Sequence, residues 1–132
     1  MPGRQILDAI GDTPLVRLQR AAPPGAATTV AKLESANPTG SMKDRMARAA
    51  IETAAADDGD PDKVDEIIQV STAEGQAMTR RLAREEAIFA GASSGANVAA
   101  AVKVAQRLGP DAVVATIIVD SGMRYISTDL FR

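Results

Sequence analysis

The 132-residue chain contains no cysteine and no histidine. Without cysteine there is no disulfide, no zinc–thiolate site and no thiol nucleophile. Without histidine, every mechanism that uses imidazole as a base or metal ligand is excluded. Aromatic residues are scarce: one Tyr, two Phe and no Trp. A core must therefore be assembled from Ala, Val, Ile, Leu and Met, whose small side chains bury little area each. Neither charge is in large excess, with 15 Lys and Arg against 17 Asp and Glu and a net charge of -2. With no basic block, nucleic-acid binding has no support. No stretch approaches the ~20 apolar residues of a membrane-spanning helix. No charged-then-apolar signal segment opens the chain, so a cytoplasmic location is expected. Any catalysis falls to Lys, Ser, Thr, Asp, Glu, Tyr or a bound cofactor.

What is present suits one soluble domain, at 45% hydrophobic residues and a length that can bury a core. Leu15–Leu18 and Thr28–Glu34 read as short strands separated by a Pro- and Gly-containing loop. Asn37-Pro38-Thr39-Gly40 is turn chemistry, since Pro fixes φ and Gly permits φ > 0. Ser41 then reads as a helix N-cap, with Asp44 as the acidic partner of a capping box. Met42, Met46, Ala49, Ala50 and Thr53 form an apolar stripe, leaving Arg45, Arg48 and Glu52 for water. That helix runs out near Ala56. The polar stretch Asp57-Asp58-Gly59-Asp60-Pro61-Asp62 marks a seam at 57–63 between segments 1–56 and 64–132 of a single domain.

Beyond the seam, Glu66–Val70 reads as a strand, and Ser71 or Thr72 caps a helix running to about Glu86. Ala87–Ala90 reads as a strand, followed by an Ala-rich helix that stops at Gly109-Pro110. Ala112–Val119 is a continuous apolar run, as expected of a strand buried on both faces. This alternation predicts an α/β domain, three-layer-like, with a small mostly parallel sheet and flanking helices.

Two places carry chemistry. Lys43 falls in the first turn of a helix, where the partial positive charge disfavours a cation and favours the neutral amine. A lysine so disposed suits Schiff-base chemistry; the alternative is a solvated lysine after a cap. Gly91-Ala92-Ser93-Ser94-Gly95 matches the G-x-S-x-G nucleophile elbow, but an elbow serine needs a histidine base and the chain has none. An anion site at the helix start and plain capping by Ser93 or Ser94 remain open. The carboxylate pairs Asp57/Asp58 and Glu85/Glu86 read as solvated surface, because adjacent helical residues face different ways. Met42, Met46, Met78 and Met123 read as core filling.

Gly11–Leu18, Lys32–Glu34, Asn37–Arg45, Gly91–Ala96 and Arg124–Thr128 together, in this order, resemble cysteine synthase. More broadly they resemble the fold type II pyridoxal-phosphate enzymes. The resemblance implies that Lys43 attaches pyridoxal 5'-phosphate covalently and later moves the substrate α-proton. It further implies that the Ser93 hydroxyl pairs with the pyridine nitrogen and that Asp120 lies near the cofactor ring. The implied reaction is β-replacement of O-acetylserine by sulfide, giving cysteine and acetate, in a homodimer acting on a small amino-acid substrate. The family's substrate-carboxylate loop (Thr-Ser-Gly-Asn) and its phosphate loop (Gly-Thr-Gly-Gly type) have no counterpart here. The helix starts at Ser71/Thr72 and Ser93/Ser94 are the replacement anion sites to examine. The competing expectations are a non-catalytic remnant or interaction module of the same fold, and an unrelated small α/β binding domain.

Overall fold

Three strands form the sheet, in the order β1 (Leu15–Leu18), β2 (Thr28–Leu33) and β3 (Val113–Ile118). The computed structural model describes residues 6–52 and 64–132. The expected helix end near Ala56 and the seam at 57–63 lie outside them. β2 and β3 run parallel, with Thr28 beside Val113 and Leu33 beside Ile118. β1 runs antiparallel to β2, with Leu15 opposite Lys32 and Leu18 opposite Thr29. The sheet is therefore mixed.

Side chains alternate between the faces of a strand. Leu18, Thr29, Ala31 and Ile118 point to one face and are buried. Leu15, Val113 and Ile117 point to the other and are 61%, 68% and 40% exposed. The expectation that β3 is buried on both faces is thus corrected to one. The reason is that α3 (Ala92–Leu108) lies on one face only, and α2 (Thr72–Glu85) packs against α3.

Small residues make that layering close. A Cβ added to Gly95 would stand 2.2 Å from the Gly75 carbonyl oxygen and 2.1 Å from Thr79 Oγ1. The helices therefore meet there at backbone contact. Leu18, Ala31, Met78, Leu82, Val98 and Ile118 complete the core around this crossing. Of the two caps expected for α2, Ser71 is the one used, in a capping box where Ser71 and Glu74 bond each other's backbone N–H. α3 ends before Gly109 at φ +76°, a conformation glycine adopts without strain.

Several local expectations are overturned. Residues 66–70 carry no strand, and Ile67 is 85% exposed. Within 87–90 only Ala90 pairs, through a single bridge to Ser121. Both stretches have strand-forming side chains but no free strand beside them, and pairing is what makes a strand. The helix from the Asn37 turn is α1 (Lys43–Glu52), and it is oriented opposite to its apolar pattern. Met46 and Ala49 are exposed, while Arg45 reaches Glu34 and Arg48 donates to the carbonyls of Leu7 and Ile10. Polar anchoring decides the orientation of this helix. Of the four methionines expected in the core only Met78 is buried; Met46 and Met123 are exposed and Met42 is half-buried. Glu86, expected on the solvated surface, accepts hydrogen bonds from the N–H groups of Gln19 (3.0 Å), Arg20 and Ala21 (2.8 Å). It holds the loop that leaves β1.

Candidate functional site

The parallel strands β2 and β3 end on the same side of the sheet, and the antiparallel β1 begins there. Every one of the five matched segments consequently has residues at one end of the molecule, as in α/β proteins that bind ligands beyond the carboxyl ends of their strands. Residues 119–122, just after β3, are the centrepiece. On one side Met42 N–H donates to the Val119 carbonyl (2.8 Å) and Ser121 N–H to the Gly40 carbonyl (3.1 Å). On the other, Gly91 N–H donates to the Asp120 carbonyl (3.3 Å) and Gly122 N–H to the Phe89 carbonyl (3.0 Å). The start of α1 and the start of α3 are thereby fixed on either side of a four-residue spacer.

At the first of these, Gly40 adopts φ +75° to turn the chain. Ser41 Oγ accepts from Lys43 N–H at 3.3 Å. Asp44 does not complete a capping box with Ser41; its carboxylate accepts from the Thr39 N–H (2.8 Å) and the Thr39 hydroxyl instead. Lys43 is the first residue of α1 and is exposed.

At the second, Gly91 is the N-cap and no side chain caps the helix. Neither Ser93 nor Ser94 plays that part. Ser94 is buried, and its hydroxyl accepts from Val119 N–H at 2.9 Å, pinning α3 to the spacer. Ser93 lies exposed in the first turn of α3. A Cβ at Gly91 would stand 2.2 Å from Asp120 Oδ1 and 2.5 Å from Tyr125 Cε2, so only glycine fits. Asp120 is buried against this helix start, where the dipole favours a negative charge. Its Oδ2 accepts from the Tyr125 hydroxyl at 3.0 Å, while Oδ1 has no hydrogen-bond partner. Burial first, then the bond to Asp120, pushes the Tyr125 phenol pKa above its ordinary value.

The sequence reading missed a polar cluster that anchors α1. Glu34 is buried. It receives Arg45 Nε at 2.6 Å, the Thr13 hydroxyl at 2.7 Å and Asn37 Nδ2 at 2.8 Å. Gly11 N–H donates to Asn37 Oδ1 at 3.0 Å, which draws the turn before β1 into the cluster. The hydrogen bond from Arg45 is the main reason the Glu34 carboxyl pKa falls to about 2, with Thr13 and Asn37 adding to it against the cost of burial. All these residues lie inside the matched segments, and that was the available signal. Ser121 was missed as well. It is half-buried, its Cβ lies 3.7 Å from the position a Gly40 Cβ would take, and its Oγ accepts from Met123 N–H.

Each of the three helix starts meets a carboxylate of the chain itself. Asp44 lies in the first turn of α1 and Asp120 against the start of α3. At α2 Glu74 holds the Ser71 N–H and hydroxyl, both at 2.8 Å. The Glu74 carboxyl pKa is lowered to about 2, chiefly by Lys103 and then by Ser71. Neither start nominated as a replacement phosphate site is therefore an open anion site. The donor set fits the ring end of pyridoxal phosphate, with an exposed amine and nearby hydroxyls. Among the described residues it does not fit the phosphate end.

The sequence pattern described as "Pyridoxal-phosphate dependent enzyme" matches residues 6–64 and 58–120. The probable cysteine synthase of Bacillus subtilis is 51% identical over 70 residues, which are 53% of this chain and 22% of that protein. Cysteine synthase B of Escherichia coli is 47% identical over 68 residues, 52% of this chain and 22% of that protein. The aligned part thus spans about a fifth of the length of these relatives. Among solved structures, O-ureido-L-serine synthase superposes with a TM-score of 0.81 at 18% identity, covering 96% of this chain and 94% of that one. The cysteine synthase of Entamoeba histolytica gives a TM-score of 0.81 at 15% identity, covering 99% and 91%. At such identities the superpositions speak for the fold alone, a reduced α/β version of the fold type II enzymes. With its pattern matched over both segments, the chain belongs to the family of pyridoxal-phosphate dependent enzymes.

Proposed function

We propose that this chain carries the lysine-bearing part of a cysteine synthase-type active site. In this reading Lys43 is the covalent attachment point for pyridoxal 5'-phosphate and the base that moves the substrate α-proton. The observation that carries the reading is the convergence of the Lys43 turn, the Gly91–Ser93 helix start and Asp120 around residues 119–122. When bound, the cofactor supplies an electron sink for β-replacement, here of O-acetylserine by sulfide to give cysteine and acetate. Asp44 and Ser41 hold the first turn of α1, and the Glu34–Arg45 pair fixes the helix against the sheet, so Lys43 is presented from a rigid support. The hydroxyl for the pyridine nitrogen is Ser93, or Ser121, which is tied directly to the Lys43 turn through Gly40. Asp120 lies close by and is held by Tyr125. The site belongs to a cytoplasmic homodimer with the polar seam at 57–63, a division favoured by the family pattern breaking into two stretches that meet at 58–64.

One observation favours the second reading, a non-catalytic module of the same fold: among the described residues, the carboxylates at the starts of α1, α2 and α3 leave no built phosphate site. Borohydride reduction in the presence of pyridoxal phosphate or of phosphate-free pyridoxal, followed by peptide mapping, separates the possibilities. The expected result is an adduct on Lys43, formed to within about threefold equally by both aldehydes, because the phosphate end gains little here. No adduct on Lys43 rejects the reading. An adduct without cysteine formation from O-acetylserine and sulfide leaves the non-catalytic module. Ser93→Ala and Ser121→Ala then identify the ring partner by which one shifts the absorbance of the adduct.

A further inference from the structure

Residues 123–131 fold back from the spacer against α2 and the start of α3. Arg80 donates to the Leu130 carbonyl at 2.9 Å, Leu130 is buried, and the Phe131 and Phe89 rings lie 4.6 Å apart. Toward the Lys43 turn, Arg124 donates to the Thr39 carbonyl at 3.3 Å. Between these two anchors the Tyr125 hydroxyl donates to Asp120 Oδ2 at 3.0 Å. The residue it meets is the one on which both halves of the site converge. The Asp120 backbone bridges to Ser41, before Lys43, and accepts from the Gly91 N–H, before Ser93. Its side chain is 6% exposed, Oδ1 has no partner, and the Tyr125 hydroxyl is its one hydrogen-bond donor among the described residues. A buried carboxylate with a single neutral donor is an unfavourable arrangement, and one that folded chains seldom keep without a use. Its fit is also strict. A Cβ at Gly91 would stand 2.2 Å from Asp120 Oδ1 and 3.0 Å from Tyr125 Cζ.

We propose that Tyr125 is a positioning residue for the ring end of the site, acting through Asp120 to set the start of α3 against the spacer. Those two pieces of chain carry the Ser93 and Ser121 hydroxyls, so the bond fixes where each stands relative to Lys43. The inference rests on the reading of Lys43 given above. Removing the Tyr125 hydroxyl leaves Asp120 without a donor. The carboxylate must then turn to the N–H groups that open α3 or admit water. Either movement displaces Gly91, which is packed against both side chains with no room to spare.

One tyrosine and no tryptophan make the contact directly visible. Burial and the Asp120 carboxylate hold the Tyr125 pKa above its ordinary value, against a smaller opposing effect of Arg124. Asp120→Asn should therefore lower the ionisation midpoint read from ultraviolet absorbance, though not to the ordinary value, since burial remains. In the ligand-free chain, Tyr125→Phe should speed hydrogen exchange at the Gly91 amide about tenfold relative to amides in the middle of α2, the factor for losing one hydrogen bond. On the pyridoxal adduct of Lys43, Tyr125→Phe should shift the absorbance in the direction given by Ser93→Ala or Ser121→Ala, whichever is effective. Combined with that serine variant it should shift the absorbance no further. Asp120→Asn keeps an oxygen for the Tyr125 hydroxyl and should retain the parent's adduct spectrum, whereas Asp120→Ala should lose it; this pair decides the matter if Tyr125→Phe does not fold. Parental exchange at Gly91 in Tyr125→Phe overturns the proposal. So does faster exchange with an unaltered adduct spectrum, which reduces the contact to a structural one. A spectrum altered as much by Asp120→Asn as by Asp120→Ala also overturns it, by giving the role to the charge of Asp120 instead of its placement. A parent that forms no adduct on Lys43 rejects the site reading and this role with it, whereas an adduct with any of the failures above rejects the role of Tyr125 alone.

Discussion

The two helix starts that frame residues 119–122 are held in opposite ways. α3 is seated by close approach: Gly91 against Asp120 and Tyr125, Gly95 against Gly75 and Thr79, with Ser94 tied to Val119. α1 is seated by charge: Glu34 with Arg45, and Arg48 on the carbonyls of Leu7 and Ile10, while Met46 faces outward. The first kind of seat is intolerant of a single added carbon, whether or not the Asp120 carboxylate within it is charged. The second tolerates changes in volume but depends on the ionisation of one buried carboxyl. Lys43 is thus presented from a helix held by an ion pair, and Ser93 from one held by the contact of small residues.

The sharpest way to break the packed seat is Gly95→Ala. Its methyl would meet a backbone oxygen at 2.2 Å as well as the Thr79 hydroxyl, so the helices must part. The expected cost is about 3 kcal/mol, at the upper end of overpacking. It is read from chemical denaturation as a lower midpoint. A variant within 1 kcal/mol of the parent, at the resolution of such curves, would mean that the crossing is looser than the contact between Gly75 and Gly95 implies.

The charged seat should fail in acid. The Glu34 carboxyl has a pKa of about 2 in the folded chain against an ordinary 4.5. The unfolded state therefore takes up a proton first, and the stability from this group is full above pH ~4.5 and lost as pH falls towards 2. Its full value is about 3 kcal/mol. We discount this to about 2 kcal/mol because the Arg45 side chain is 44% exposed and solvent screens the pair. Glu34→Gln should lower stability at pH 7 by about that amount and flatten the acid limb of the stability curve. Glu74, lowered over the same window but exposed, is the control; Glu74→Gln should leave most of the acid limb in place. An acid limb unchanged in Glu34→Gln would remove the charge from the account of how α1 is held.

The same contrast explains what could be read from the sequence. The packed parts were legible because their signals are local. The 14-residue helix opening at Ser71 or Thr72, the helix stop at Gly109 and the Val/Ile run of β3 all follow from neighbouring residues. The charged seat was not legible, because Glu34 meets partners 21 and 11 residues away, at Thr13 and Arg45. Without those partners, the apolar stripe of α1 reads as its inner face. Stretches 66–70 and 87–90 failed for a related reason: their β-branched and apolar side chains suit a strand, but strand formation depends on a partner chosen by the whole fold. At the candidate site, the resemblance drew attention to Lys43, Ser93 and Asp120. The nearness of Ser121 to the Lys43 turn, and the carboxylates at the helix starts, became apparent only once the segments were brought together.

The smallest expected effect concerns neighbours on β3. Ile118 is fully buried on the covered face, while Ile117, one residue earlier, is 40% exposed on the other. Parallel strands are ordinarily covered on both sides, and here Leu15, Val113 and Ile117 remain in the open beside Arg17 and Lys32. In the isolated monomer Ile117→Thr should change stability by no more than about 0.5 kcal/mol, as for surface substitutions generally. Ile118→Thr should cost at least about 2 kcal/mol, since it loses core volume and buries a hydroxyl. Sedimentation turns this pair into a test of the homodimer. If two copies meet on the open face, Ile117→Asp converts a dimer into a monomer without unfolding it, and the mild effect of Ile117→Thr grows with protein concentration. If the dimer forms elsewhere, Ile117→Asp leaves the sedimentation coefficient where it was, and the open face is a surface the monomer tolerates because Arg17 and Lys32 keep it wet.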